Sequence, residues 1–234
     1  QGAPPAVLVD DDPKGTLRLE GQVIDEHDAP VAHAIVAIDA NPPKVVETES
    51  DGGFVFDGLL RRDYRIEATA GDRYAGLVSV WLTDKPEPVT LRMRKGGTVE
   101  VTVTARAGGA PVAGAEVELR SWFSTLTWKA TTNADGVATL RGVGAGSSPL
   151  VARAQGYAPG AMMLGTSGNP DTVEHAALSL AGGAALDGRV VDEKGKPIAN
   201  ARVVATSASE PLPVVDPYRD AVVTGADGAF SIAT

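Results

Sequence analysis

Pro30-Val31-Ala32-His33-Ala34-Ile35-Val36 is a short motif that the chain repeats twice at a nearly constant spacing. Each later copy begins about 81 or about 86 residues after the one before it, and the two are Pro111-Val112-Ala113-Gly114-Ala115-Glu116-Val117 and Pro197-Ile198-Ala199-Asn200-Ala201-Arg202-Val203. An Asp-Gly turn follows every copy, at Asp51-Gly52, Asp135-Gly136 and Asp227-Gly228. A repeat of this length with strand-like patterning predicts tandem β domains whose function lies in loops and surfaces.

The repeat divides the chain into an arm and three units. The predicted segments are a linker or arm at 1–14, β-sandwich unit 1 at 15–95, β-sandwich unit 2 at 96–181 and an incomplete β-sandwich unit 3 at 182–234. Gly96-Gly97 and Gly182-Gly183 mark the two junctions, since paired glycines punctuate chains and are typical of boundaries that few contacts cross. Junctions this short predict an elongated array.

Alternating apolar and polar residues predict the strands within each unit. Phe54 and Phe56, which follow the first Asp-Gly turn, are expected to face the core together. Trp81 lies in the apolar run Val80-Trp81-Leu82, and we expect it to pack in a core or between units. No segment shows sustained helical periodicity, so the predicted fold class is all-β.

Composition excludes several classes of function. The chain has no cysteine, which excludes disulfides and thiolate metal sites. A formal charge of -9 with scattered carboxylates would repel nucleic acid and anionic lipid, so nucleic-acid binding is not expected. No stretch approaches the roughly 18 consecutive apolar residues that span a bilayer. The chain begins at Gln1 without a leader and stops early in the third repeat, so we expect the natural protein to extend beyond these residues.

The repeated motif resembles the carboxypeptidase regulatory-like domain. Gly188 to Val203 followed by Thr224 to Phe230 fits its pattern, and so does Gly21 to Val36 followed by Asp51 to Phe54. Unit 2 departs from the pattern, because Val101 replaces the first-strand glycine and Val137 is expected at the position of the phenylalanine after the turn.

This resemblance implies tandem transthyretin-like (prealbumin-like) sandwiches of about seven strands and no activity of their own. In metallocarboxypeptidases such a domain is an appendage that carries no catalytic residue, and in bacteria tandem copies are usual in secreted and surface proteins. The resemblance therefore implies a non-enzymatic stalk, spacer or scaffold in an extracytoplasmic bacterial protein, whether periplasmic, secreted or on the outer surface. An internal Lys-Asn isopeptide bond, found in related adhesin repeats, is not expected, since no first-strand lysine faces a last-strand asparagine in either complete unit.

The sequence offers no catalytic or cofactor-binding constellation. Its only histidines are His27, His33 and His175, and none lies in a recognisable motif. Calcium requires about six or more oxygen ligands, and the acidic clusters supply only fragments of such a set. The candidate calcium residues are Asp10, Asp11, Asp12, Asp25 and Asp28, for which we favour ordinary roles in turns.

Two insertions before the Asp-Gly turns are candidate recognition elements. The hairpin of unit 2 carries Trp122, Phe123 and Trp128, and an exposed pair of indoles would form a platform for a protein or carbohydrate partner. The alternative is that these rings pack against the sandwich or the neighbouring unit. The second insertion is Pro-rich and contains Pro213 and Tyr218, with an exposed loop as the alternative interpretation.

Three functions therefore remain open: a stalk or spacer, a ligand-binding or adhesive module using the tryptophan hairpin, and an accessory region of a larger peptidase or hydrolase. Oligomers formed by edge-strand pairing are compatible with each of them. Unit 3 is expected to be completed either by another chain or by residues outside this sequence.

Overall fold

The computed structural model describes residues 12–122, 124, 126–205 and 220–232, and every regular element in these ranges is a β-strand. The strands form paired sheets with apolar side chains between them, so the predicted all-β sandwich fold is confirmed.

Unit 1 is built from two sheets of unequal size. Its strands are β1 (Leu17–Ile24), β2 (Ile35–Ile38), β3 (Lys44–Glu47), β4 (Gly53–Leu59), β5 (Asp63–Ala70), β6 (Arg73–Trp81), β7 (Val89–Arg92) and β8 (Arg94–Lys95). One sheet has the order β4-β1-β7 and the other β3-β2-β5-β6-β8. β7 runs parallel to β1, and the other neighbouring strands are antiparallel.

Unit 2 has the same connectivity. Its strands are β9 (Gly97–Ala105), β10 (Glu116–Arg120), β11 (Thr127–Thr131), β12 (Val137–Val143), β13 (Gly146–Arg153), β14 (Gly160–Thr166) and β15 (Val173–Leu180). They form sheets of order β12-β9-β15 and β11-β10-β13-β14, with β15 parallel to β9.

The described residues of unit 3 correspond to the first half of this arrangement. Its strands are β16 (Leu186–Arg189), β17 (Arg202–Val203), β18 (Val222–Val223) and β19 (Ala229–Ile232). β16 pairs with β19 as β1 pairs with β4, and β17 pairs with β18 as β2 pairs with β3. Leu186 is 51% exposed, whereas the equivalent Leu19 of unit 1 is 0% exposed. Among the described residues, the apolar face of unit 3 is therefore not covered by a second sheet as it is in unit 1.

Each of units 1 and 2 has its own apolar core. Phe54 and Phe56 are 3% and 1% exposed, and their rings meet edge-on at 5.9 Å, so the prediction that they share the core is confirmed. The core of unit 2 combines small side chains such as Val101 and Leu140 with the indole of Trp128. Ala37 of unit 1 belongs to the core cluster of unit 2, which shows that the units meet across a buried contact.

In units 1 and 3 a glycine on the first strand lies opposite a phenylalanine on the paired strand. Gly21 lies opposite Phe54, and a Cβ on this glycine would stand 2.4 Å from the ring; Gly188 and Phe230 have the same relation. In unit 2 the register pairs Val101 with Ala138. The expectation that Val137 takes the phenylalanine position is therefore wrong by one residue: a larger residue on the first strand is matched by a smaller one across from it.

The repeated loop motif is held by a threonine. The hydroxyl of Thr132 donates to the carbonyl of Val112 at 2.7 Å and accepts from the N–H of Ala115 at 2.8 Å. Thr48 and Thr224 form the same pair of bonds to their own copies of the motif. Because all three threonines are buried, their hydroxyl groups have to find hydrogen-bond partners within the protein. These bonds therefore hold the loop in place.

Candidate functional site

The first junction joins the outer face of the five-stranded sheet of unit 1 to the β10–β11 loop of unit 2. Glu67 on β5 faces this loop and is 3% exposed. Its Oε1 accepts a hydrogen bond from the hydroxyl of Ser121 and another, at 2.6 Å, from that of Ser124. Its Oε2 accepts from the hydroxyl of Tyr74 at 3.0 Å. The buried carboxylate is thus held by hydroxyl groups of both units.

Aromatic rings and glycines complete the first junction. Trp128 lies 5.5 Å from the ring of Tyr74, and its indole N–H donates to the carbonyl of Gly142 at 2.8 Å. A Cβ at Gly142 would stand 2.8 Å from the backbone of Asp72, and one at Gly144 would stand 2.2 Å from the Tyr74 ring. Gly142 of unit 2 therefore lies in close contact with the backbone of unit 1, which differs from the expectation that few contacts cross this boundary.

Burial at the first junction changes the pKa of the Tyr74 side chain. Desolvation, followed by the negative charge of Glu67, raises the pKa of the Tyr74 phenol above its ordinary value of 10.0. The phenol therefore stays protonated, which it must do to donate its hydrogen bond to Glu67.

The second junction is a cluster of charged side chains on the outer face of the four-stranded sheet of unit 2. Arg120 donates from Nη1 and Nη2 to the two carboxylate oxygens of Asp220, at 2.7 and 2.8 Å, and Arg153 also donates to Asp220. Arg120 donates from Nε and Nη2 to Glu118 at 2.9 and 2.7 Å, and Lys129 pairs with the other oxygen of Glu118. The side chains of Arg120, Glu118 and Asp220 are only 5%, 8% and 11% exposed.

The charges of this cluster stabilise one another. Burial alone would raise the pKa of the Glu118 carboxyl, but hydrogen bonds from Lys129 and Arg120 outweigh burial and lower its pKa from 4.5 to about 2. Burial would lower the pKa of Arg120, but its hydrogen bonds to Asp220 and Glu118 raise it. Both groups are therefore ionised across the physiological pH range.

A cleft of about 620 Å³ lies where the two junctions approach each other. Unit 1 contributes Ile35, Val45 and Thr69 to its wall, unit 2 contributes Leu126 and the charged cluster, and Asp220 lies at its edge. The cleft is open, and its polar wall consists of groups that are already paired with one another.

The structure does not bring the predicted tryptophans together as an exposed pair. Trp122 is 47% exposed, whereas Trp128 is 8% exposed and packs in the first junction, as the alternative interpretation of this hairpin has it. Phe123 lies outside the described residues. Trp81 is 59% exposed at the end of β6, so the expectation that it is packed is wrong. It lies on the outer face of its strand, while Leu82 enters the core.

The other candidate residues lie apart from this cluster or outside the described ranges. Pro213 and Tyr218 fall in the segment 206–219, which is not described. Asp220, which follows directly, makes the ionic contact that sequence reasoning missed. The signal was present in the repeat, since Asp220 stands as far before Thr224 as Trp128 stands before Thr132.

The calcium candidates that the structure describes are engaged in turns and ion pairs. Asp12 accepts from the backbone N–H of Asn41 and from Arg62, both at 3.0 Å. Asp25 accepts from two backbone N–H groups of its own turn, and Asp28 pairs with Arg92. Asp10 and Asp11 lie outside the described residues. Within the described ranges no group of three or more histidine or acidic side chains is placed to hold a metal.

Comparison with known families identifies the class of domain. The family model of the carboxypeptidase regulatory-like domain matches residues 98–179. The match covers about a third of the chain, and the resemblance inferred from the repeat is thereby confirmed for unit 2. The match falls on the copy whose motif departs most from the pattern.

Several solved structures match the chain at low similarity. The TIE protein of Bacillus anthracis is 15% identical, with a TM-score of 0.33, over 92% of this chain and 42% of its own. A streptococcal ancillary pilin is 12% identical, with a TM-score of 0.30, over 70% of this chain and 62% of its own. GBS52, a minor pilin of Streptococcus agalactiae, is 11% identical, with a TM-score of 0.34, over 71% and 97% of the two chains. The chain thus spans less than two thirds of the first two proteins.

No curated protein sequence matches the chain. Over the described residues, no helix has the length and apolar character needed to cross a bilayer.

Proposed function

We propose that this chain is a non-enzymatic structural segment, a stalk or spacer, of a secreted or surface-exposed bacterial protein. The observation that carries the proposal is the first junction, in which Glu67 is buried between two units and bonded to hydroxyl groups of both. A spacer has to hold its units in one relative orientation, and this contact does so.

The physical reason is the cost of an unsatisfied charge. A buried carboxylate without its hydrogen-bond donors costs several kcal/mol, so orientations that pull Ser121 and Ser124 away from Glu67 are unfavourable. Gly142 allows unit 2 to approach the backbone of Asp72 closely, Gly144 allows it to approach the ring of Tyr74, and these contacts leave little room for sliding. The junction therefore selects one geometry rather than merely tethering two domains.

The test is a distance measurement across the first junction. Because the chain lacks cysteine, spin labels placed by Thr90→Cys on unit 1 and Ser179→Cys on unit 2 report one distance distribution by pulsed electron resonance. Both positions are exposed. We expect a single narrow distribution that Glu67→Ala broadens. The control Glu47→Ala, at an exposed carboxylate on β3 of the same unit, should leave it narrow. A broad distribution in the labelled chain without further substitution would contradict the spacer function.

A second candidate is an adhesive or ligand-binding module, and the exposure of Trp81 and Trp122 favours it. Exposed indoles are uncommon on a spacer and frequent in binding surfaces. The test is binding to a panel of oligosaccharides, with Trp81→Ala, Trp122→Ala and, as the packed control, Trp128→Phe. Loss of binding in the first two variants would support this function, and unchanged binding in both would remove it.

The accessory role in a larger peptidase or hydrolase and the extracytoplasmic location remain predictions. Cell fractionation with an antibody against unit 2 tests the location directly.

A further inference from the structure

We propose that Arg120 and Arg153 of unit 2 form a docking site for one carboxylate, and that Asp220 fills this site to attach unit 3 to unit 2. The inference deepens the proposed spacer function, on which it rests, by naming the contact that extends the array beyond the first junction.

The geometry is that of a carboxylate receptor. Arg120 meets both oxygens of Asp220 through its two terminal nitrogens, the bidentate arrangement that makes arginine–carboxylate pairs directional. Arg153 donates to one of the same oxygens. The Asp220 side chain is only 11% exposed and is held from two sides, so its departure would leave the buried guanidinium of Arg120 without its bidentate partner.

Unit 2 builds the site by itself. Glu118 accepts from Nε and Nη2 of Arg120 and so fixes the plane of the guanidinium before Asp220 arrives. Without Asp220, the cluster contains three cations, Arg120, Arg153 and Lys129, against the two carboxylates of Glu118 and Glu116. One positive charge is left over, and the carboxylate of Asp220 neutralises it.

The position of Asp220 in the repeat is an independent observation. Thr132 and Thr224 form equivalent hydrogen bonds to the repeated loop, and counting back four residues from each leads to Trp128 and Asp220. Trp128 contacts the unit that precedes it through Tyr74, and Asp220 contacts the unit that precedes it through Arg120. The same position in two consecutive repeats is therefore used for docking, with an indole in one case and a carboxylate in the other.

The first test measures whether Asp220 attaches unit 3. Spin labels at Ser179→Cys on unit 2 and Ser231→Cys on unit 3 report the second junction, and the pair at 90 and 179 reports the first. We expect Asp220→Asn to broaden the distribution at the second junction and to leave the first unchanged. The matched control is Asp227→Asn, because Asp227 pairs with Arg189 inside unit 3 and should leave both distributions narrow. A second junction that stays narrow in Asp220→Asn would overturn the attachment. Broad distributions at the first junction would instead refute the spacer function.

The second test measures whether the site accepts a carboxylate from solution, with acetate as the probe. In the Asp220→Ala chain, titration with acetate should shift the Nε–H resonances of Arg120 and Arg153 in a saturable manner. The unsubstituted chain should show no saturable shift, because Asp220 occupies the site. Absence of a saturable shift in the Asp220→Ala chain would overturn the docking site even if Asp220 contributes to attachment.

Discussion

The two junctions use the same element of the sandwich for opposite chemistry. At the first, a phenol and two serine hydroxyls donate to one carboxylate, an indole lies against the phenol ring, and the backbones meet at Gly142. At the second, the contact is a cluster of ion pairs centred on Arg120. The loop that precedes the Asp-Gly turn makes both contacts. The comparison shows that a repeated fold fixes where units dock, while individual side chains decide how sensitive each junction is to charge and pH.

The largest expected effect comes from removing the central cation of the second junction. Arg120→Met should cost about 3–5 kcal/mol in the free energy of unfolding of unit 2, because it removes the buried cation that bonds both Glu118 and Asp220. Urea unfolding followed by Trp128 fluorescence, with Trp81 and Trp122 replaced by Phe, measures this quantity. Arg92→Met is the control, since its ion pair with Asp28 is exposed and should contribute less than about 1 kcal/mol. Equal losses in the free energy of unfolding for Arg120→Met and Arg92→Met would contradict the larger role given to the buried cluster.

The next effect tests the close backbone contact of the first junction. Gly142 has φ 71° and a Cβ there would stand 2.8 Å from the backbone of Asp72. Gly109 has φ 69° with open space around it, so Gly109→Ala carries only the backbone cost of about 1–2 kcal/mol. Gly142→Ala should lower the free energy of unfolding by about 2 kcal/mol or more beyond the loss in this control. It should also broaden the distance distribution between positions 90 and 179. Matching costs for the two alanine variants would show that the junction tolerates the extra methyl group.

The pH dependence should separate the junctions. Glu118 has a folded-state pKa of about 2 against an ordinary 4.5, so its stabilising contribution is present above pH 4.5 and is lost as the pH falls toward 2. The pKa of Tyr74 is raised, so its contribution is present below its ordinary value of 10.0 and is lost as the pH rises above that value. We therefore expect falling pH to broaden the distance distribution across the second junction before that across the first. Rising pH should broaden the distribution across the first junction before that across the second. Loosening of both junctions in the same order at both extremes would contradict this assignment.

The fold was readable from sequence because its signals are local. Asp-Gly turns, alternating residues and a repeated loop depend on neighbours within a few positions, and Phe54 and Phe56 follow the turn directly. Trp81 was misjudged for a related reason: its apolar run suggested burial, but strand alternation sends Leu82 inward and leaves the indole outside.

The junctions were not readable because their partners are distant in the chain. Arg120 and Asp220 are 100 residues apart, and their contact depends on how two units are oriented rather than on either local pattern. The charged residues at 116, 118 and 120 alternate along β10, and this pattern indicates a polar outer face. It does not reveal that the face is covered. Only the offset from the repeated threonine, compared between units, relates Trp128 to Asp220.

The substitution with the smallest expected effect on stability, Lys129→Met, distinguishes the pH responses of the two junctions most sharply. Lys129 is 58% exposed, so Lys129→Met should change the free energy of unfolding of unit 2 by only about 1 kcal/mol or less at neutral pH. Its hydrogen bond nevertheless lowers the pKa of Glu118 more than any other interaction, so the substitution should raise that pKa and move acid loosening of the second junction to higher pH. The distance distribution between positions 179 and 231, recorded against pH, measures this shift, while the first junction should respond as before. An unchanged acid midpoint would mean that Arg120 and Arg153 keep Glu118 ionised without the hydrogen bond from Lys129.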